Sequence, residues 1–376
     1  MMMSWSSNLS VHRPVLLATA ARGGGLTCKL IVGQRRAPLA HPRVGFNTLC
    51  QLQPRRCFAS TTHASGGGVG GGTAGQTTTK HARVGCNFHF RAAAYNLPHP
   101  DKAQKGGEDA YYISDTEKSL GVADGVFRPF FFLKCGTTTD PNQQVGGWAT
   151  HNIDPALFSR KLMEEAHKAA DIKVKQMLME SKARLHQEEA KQHKSPLVTT
   201  DILDMALQKT KHITGSSTAL VLLLDDCVLN ASYLGDSSFM VIRDSQIIHR
   251  SEEQQHYFNC PYQLGSDGDS PRKAVETTLE MQEGDIIIVG TDGLFDNMFD
   301  KQILDLVNQA KQKGMSEEAI AQLLAKNAQA IAKKPNVEVP FGVNCYKMRG
   351  LRYLGGKLDD VCVIVAAIQR PNKNKL

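Results

Sequence analysis

The first hundred residues contain no aspartate or glutamate; the first acidic residue is Asp101. That stretch holds eleven of the 44 lysines and arginines and carries +11, whereas residues 101–376 hold the other 33 and all 37 acidic residues and carry −4. The net charge of +7 is therefore a sum of two unlike parts, and a mildly acidic body argues against a nucleic-acid binder. No two of the nine cysteines form a CxxC pair, their smallest spacing being Cys50 to Cys57, which argues against a zinc ribbon and a disulfide scaffold. No stretch approaches the roughly 20 apolar residues of a membrane span. Internal repeats are absent, and the glycine runs at 66–72 lack the Lys-Ser/Thr ending of a phosphate loop. Ser216 and Ser217 have no His-Asp partners nearby in sequence, so a serine hydrolase is weakly supported.

What the N-terminal part does contain is Arg13, Arg22, Arg35, Arg36, Arg43, Arg55 and Arg56 among Ser, Ala, Thr and Leu. Arginine-rich, serine-rich and acid-free is the composition of an organelle transit peptide, and Pro14–Ala21 is too short and weakly apolar for a secretory signal. The run Arg56-Cys57-Phe58-Ala59-Ser60 resembles a mitochondrial processing site, with cleavage after Phe58; the competing reading is a basic N-terminus with no address. Cleavage there removes eight basic residues, and +7 − 8 leaves −1. These features predict a transit peptide over 1–58 and a location in mitochondria, in the matrix. A Gly-rich flexible linker over 59–82 includes Ser65–Gly75, and a basic tail occupies 371–376.

From 83 to 370 the chain reads as one α+β domain. Asp154-Pro155 is a helix start, and Phe158 to about Lys194 is helix-favouring, with Leu162, Met163, Ala166, Ala170, Val174 and Leu178 on one face. A shorter helix fits Thr200–Lys211. Strands are predicted over Thr218–Leu224, a buried apolar run, and over Val228–Leu234, Phe239–Arg243 and Gln246–Arg250, joined by short turns as in an antiparallel meander. Asp285–Thr291 and Val361–Ile368 read as two more, and Cys227 and Cys362 are expected as reduced thiols in core strands. Between them Asp300 is expected to cap a helix ended by Gly314, and Ser316-Glu317-Glu318 to open a second. Strands grouped with strands and helices with helices favour a layered α+β domain over parallel βαβ units.

The chemistry signal is a set of acids, each placed at the end of an apolar run: Glu108-Asp109 in GGEDAYYIS, Asp124 in LGVADG, Asp236 in SYLGDSS, Asp292 in IIIVGTDGLFDN, and Asp359-Asp360 in GKLDDVCVIVA. Any one Asp-Gly is readily explained as a turn. Several converging at strand ends repel, and need a cation or protonation. Oxygen ligands without a histidine cluster suit Mg²⁺ or Mn²⁺ rather than Zn²⁺. Two such ions about 3.5–4 Å apart can activate a water for in-line attack on phosphorus.

The ordered set GED, VADG, GSSTA (Gly215–Ala219), LGDSS, TDGLFDN and DDVCVIVA resembles the metal-dependent type 2C protein serine/threonine phosphatases over about residues 95–369. The stretch RSEEQQHYFN (Arg250–Asn259) followed by PYQL (Pro261–Leu264) resembles the mitochondrial, yeast-PTC-seven-like branch. The resemblance implies a β-sandwich of two antiparallel sheets flanked by helices, in a single catalytic domain. It further implies that Asp124 bridges two Mn²⁺ or Mg²⁺ ions, with the Gly125 carbonyl on the first and Asp292 and Asp359 on the second. Glu108 and Asp109 are implied to act through waters, Asp236 to lie near a weaker third ion, and Asp360 to support from behind. Asp124 and Asp292 are then implied to carry catalysis through the activated water, on phosphoprotein substrates, in a monomer without nucleic acid or a membrane span. His256 in EQQHYF reads as structural or superficial rather than as a catalytic base.

One departure stands beside the site. In that branch the motif continues DGVGGW, but here VADGV (122–126) is separated from GGWA (146–149). Removing Val126–Gln144 restores the expected text, so the atypical insertion 126–144 is either a retained in-frame intron or a lineage-specific loop. The position after Asp-Gly, a histidine in many members of the family, is Val126, which removes a proton donor. Three functions remain open: an active metal-dependent protein phosphatase; a catalytically impaired phosphatase-like binding or scaffold protein, impaired by the insertion; and a phosphoesterase acting on a small metabolite.

Overall fold

The computed structural model describes residues 87–126, 154–185 and 199–371, all within one compact unit spanning residues 78–376. The expected transit peptide, the linker, most of the 126–144 insertion and most of the basic tail lie outside the described residues.

The strands are β1 (His89–Leu97), β2 (Ala110–Ile113), β3 (Ser119–Ala123), β4 (Gly125–Val126), β5 (Ser216–Ser217), β6 (Ala219–Asp225), β7 (Val228–Leu234), β8 (Ser238–Arg243), β9 (Gln246–Arg250), β10 (Gln255–Tyr257), β11 (Cys260–Pro261), β12 (Leu264–Gly265), β13 (Val275–Glu280), β14 (Ile286–Gly290) and β15 (Val361–Gln369). The helices are α1 (Pro155–Leu185), α2 (Thr200–Thr210), α3 (Asp292–Phe295), α4 (Asp300–Gln312), α5 (Glu317–Ala332) and α6 (Pro340–Arg349). Two five-stranded antiparallel sheets form a sandwich, one ordered β1-β15-β14-β8-β9 and the other β13-β7-β6-β3-β2. The expected α+β sandwich is what forms.

The continuous apolar runs follow from burial on both faces. Along β6, Leu220, Leu222 and Leu224 point between the sheets, while Ala219, Val221 and Leu223 pack on α1 and α2. Along β14, Ile287 and Val289 point between the sheets and Ile286 and Ile288 pack on α4 and α5. β15 does the same, with Cys362, Ile364 and Ala366 inward and Val361, Val363 and Val365 toward the helices. Asp154 starts α1 by accepting the Ala156 N–H (3.1 Å), and the Ser316 hydroxyl caps α5 by accepting the Ala319 N–H (3.3 Å).

The structure corrects several expectations. β6 to β9 do not form one meander: β6 and β7 belong to one sheet, β8 and β9 to the other, and Gly235-Asp236-Ser237 carries the chain across. Runs buried on both faces carry no signature of which sheet they join. Gly235 makes the crossing at φ 108, and a Cβ there would stand 2.6 Å from the Tyr262 carbonyl oxygen. Asp300 does not cap α4 but occupies its first turn and pairs with Arg250 at 3.2 Å; Phe299 precedes it, its N–H bound by the Gln302 side chain. Leu178 on α1 is exposed rather than on the buried face. Cys227 is half-buried in the β6–β7 turn rather than in a strand, while Cys362 is fully buried.

The layered packing makes Ile288 a sensitive point, since it is wholly buried between β14's neighbours and the helices. Ile288→Ala is expected to lower unfolding free energy by about 2–5 kcal/mol, read as a lower denaturant midpoint at unchanged m-value.

Candidate active site

The antiparallel register brings the acid-bearing strand ends to one end of the sandwich. Ala110 pairs with Ala123, Ala219 with Leu234, and Gly290 with both Ser238 and Val363. Asp124 leaves β3, Asp236 leaves β7, Thr291-Asp292 leave β14, and Glu108-Asp109 and Asp359-Asp360 precede β2 and β15.

Each acid is fixed from behind. The Asp124 N–H donates to the Thr218 hydroxyl (3.0 Å), while its carbonyl accepts from the Thr218 N–H (3.0 Å) and the Ser217 hydroxyl (2.8 Å). Thr218 in turn shares a hydrogen bond with Ser237 (2.7 Å), next to Asp236. Gly125 pairs with Ser217 as part of β4, and its N–H donates to the Glu108 carbonyl (3.2 Å). Asp109 accepts from the Thr291 hydroxyl (2.7 Å), which itself accepts the Cys362 N–H (3.0 Å), tying β2, β14 and β15 together. Asp360 accepts the N–H groups of His99 (2.6 Å) and Glu108 (2.9 Å). The backbone passes so close there that a Cβ on Gly293 would lie 1.9 Å from the Asp360 carbonyl oxygen.

Two lysines that sequence reasoning passed over complete the cluster. The Lys102 ammonium contacts Glu108 (2.6 Å), Asp360 (3.3 Å) and Asp359 (3.7 Å). The Lys357 ammonium contacts Asp292, Asp296 (2.7 Å) and Asp359 (3.9 Å). Asp296, also missed, lies one helical turn beyond Asp292 in the TDGLFDN motif. Lys357 was visible in GKLDD, but a lysine in a loop is ordinarily solvated.

Burial pushes the Asp109, Asp124 and Asp236 carboxyls well above the usual carboxylate range, and neighbouring aspartates add to it. Burial also raises Asp292, and raises Asp296 to about 7 even against Lys357. For Lys357 burial opposes charge, but Asp292, Asp296, Asp359 and Asp236 outweigh it and raise the ammonium well above its ordinary value. Among the described residues no group of three or more His, Cys, Asp or Glu side chains forms a ready-made metal site. The donor set still suits a hard cation. It is all oxygen, its acids are held close against their repulsion, and the buried Asp236 Oδ1 has no hydrogen-bond partner.

His256 lies apart in role: its Nε2 meets the buried Asp269 (2.9 Å), and its ring stacks on Tyr262, 4.1 Å between centroids. It is structural.

The family model "Protein phosphatase 2C" matches residues 270–337. "Probable protein phosphatase 2C 80" of Arabidopsis thaliana is 32% identical over 97% of this chain and 80% of its own length. The chain belongs to the protein phosphatase 2C family. Its members are the protein serine/threonine phosphatases that the motif order implied. "Protein phosphatase PTC7 homolog fig" of Drosophila virilis is 32% identical over 71% of this chain and 80% of its own. The chain spans half the length of two longer plant 2C relatives. The solved structure titled "X-ray structure of the photosystem II phosphatase PBCP" superposes with a TM-score of 0.58 and 27% identity, over 74% of this chain and 99% of that one.

A phosphatase 2C site built on repulsion has a thermodynamic signature. In EDTA, Asp124→Asn is expected to stabilise the protein at pH 7 by on the order of 1 kcal/mol, about 2–4 °C in melting temperature. In millimolar Mn²⁺ the order is expected to reverse, with wild type the more stable. Equal melting temperatures in EDTA would show that the carboxylates do not oppose one another.

Proposed function

We propose that this chain hydrolyses phosphoserine and phosphothreonine on proteins with Mg²⁺ or Mn²⁺, as a mitochondrial member of the PTC7-like branch. The observation that carries the reading is the convergence of Asp109, Asp124, Asp236, Asp292 and Asp359 at one end of the sandwich, with Asp236 Oδ1 unpaired. Asp124, the Gly125 carbonyl, Asp292 and Asp359 are the groups to hold two ions, Glu108 and Asp109 to act through waters, and Asp236 to serve a weaker third. Bound divalent ions supply Lewis acidity and an activated water. The chain's own part is to aim the acids: Ser217 and Thr218 hold the Asp124 backbone, and Thr291 turns Asp109 inward. Val126 offers no proton to the leaving alcohol, a contribution of typically ~10²–10⁴-fold where a general acid is present.

The test is phosphopeptide hydrolysis by the full chain. Turnover is expected in Mn²⁺, to vanish in EDTA, and to fall at least about 10²-fold in Asp292→Asn. The impaired-scaffold reading is favoured by the insertion directly after Gly125, and it wins if only a variant lacking Val126–Gln144 turns over. A single transcript that retains the segment, with no shorter form, argues for a true loop over a retained intron.

The address is supported by the acid-free leader and by the branch motifs Arg250–Asn259 and Pro261–Leu264. Incubated with energised mitochondria, the chain is expected to become protease-protected and to begin at Ala59. An unprocessed, protease-sensitive product would remove the mitochondrial assignment.

A further inference from the structure

Some ion pairs among the described residues, such as Lys301–Asp305, lie at the surface, but Lys357 is built into the acid cluster. Its backbone is clamped on both sides by the buried Asn297: the Lys357 N–H donates to Asn297 Oδ1 (2.9 Å), and Asn297 Nδ2 donates to the Lys357 carbonyl (2.8 Å). The same Nδ2 also reaches the Gly293 carbonyl (3.0 Å), so the clamp is locked to the turn that presents Asp292. The side chain is only 17% exposed and runs beside the Phe341 ring, its ammonium 5.3 Å from the centroid. It ends against Asp292, with Asp296 at 2.7 Å and Asp359 at 3.9 Å. A fixed ammonium taken out of water is costly unless carboxylates surround it, and here three do.

Asp292 and Asp359 are the two acids assigned above to one divalent ion. We propose that Lys357 is a tethered counter-ion that competes with the divalent ion for these carboxylates: it keeps the cluster assembled when metal is scarce, and it sets metal affinity low. The inference rests on the metal-dependent reading of the site. Physically it has two opposed parts. One positive charge among the acids relieves their mutual repulsion, which stabilises the metal-free fold. The same charge repels an arriving dication and holds oxygen lone pairs the ion needs, which weakens binding. Lys102 also reaches Asp359 (3.7 Å), but its nearer partners are Glu108 (2.6 Å) and Asp360 (3.3 Å), it is the more exposed of the two, and it is Lys357 that pairs with Asp292 and Asp296.

Full-length wild type, Lys357→Met and Lys357→Arg separate the possibilities through melting temperature in EDTA and in Mn²⁺, and through Mn²⁺ titration calorimetry. Lys357→Met is expected to melt lower than wild type in EDTA, yet to gain more from Mn²⁺ and to bind it at least about tenfold more tightly. Lys357→Arg, which keeps the charge, is expected to stay near wild type in both. A Lys357→Met protein that folds only with Mn²⁺ supports the same conclusion. Equal or weaker Mn²⁺ affinity in Lys357→Met, with wild type binding normally, overturns the counter-ion role and leaves the phosphatase reading standing. No Mn²⁺ binding by wild type overturns the metal-dependent reading itself.

Discussion

Carboxylates forced together out of water are the constraint around which this protein is arranged. The two ends of β14 show the contrast. At its start, Asp285 meets Arg243 in a two-pronged ion pair at 2.7 and 2.6 Å, one cation for one anion. At its finish, Asp292 joins a group of acids that outnumber their lysines, and burial drives their protonation upward. The first arrangement holds a fold; the second opposes it, and persists because the surrounding hydrogen bonds leave the acids nowhere else to go. Such local disagreement with stability is what a working site in an otherwise consistent fold looks like.

The sandwich supplies the rigidity this requires. Its central strands are covered on both faces, between the sheets and under the helices, so their ends are fixed by packing on two sides. Loops then need only one or two residues to place a carboxylate. Thr291 is the clearest case: one hydroxyl accepts from β15 and donates to Asp109 beside β2, linking the two sheets at the point where the chemistry is assigned.

Much of this was readable beforehand, for definite reasons. Val228–Leu234 matches its strand residue for residue, because side chains buried on both faces must be apolar or small, and Gln246–Arg250 matches too, as a short edge strand bounded by a turn. The same property hid the sheet assignment: nothing in Leu234 or Phe239 says that the chain changes sheets between them. β1 was missed because its burial scarcely alternates, β13 because VETTLE, though it alternates, holds only two large apolar residues, and α6 because its helical stripe is faint. The acids were found because each borders an apolar run, at its start or its finish. Lys102, Lys357 and Asp296 were not, since a charged side chain in a loop or a helical turn has an ordinary explanation until its neighbours are known.

The two-residue strand β4 bears on what the 126–144 segment asks of the fold at the point where it begins. Val126 pairs with Ser216 immediately beyond Gly125. If Val126–Gln144 were absent, the residue following Gly125 would be Val145, again a valine. The rung against Ser216 would then keep a valine side chain with or without the segment.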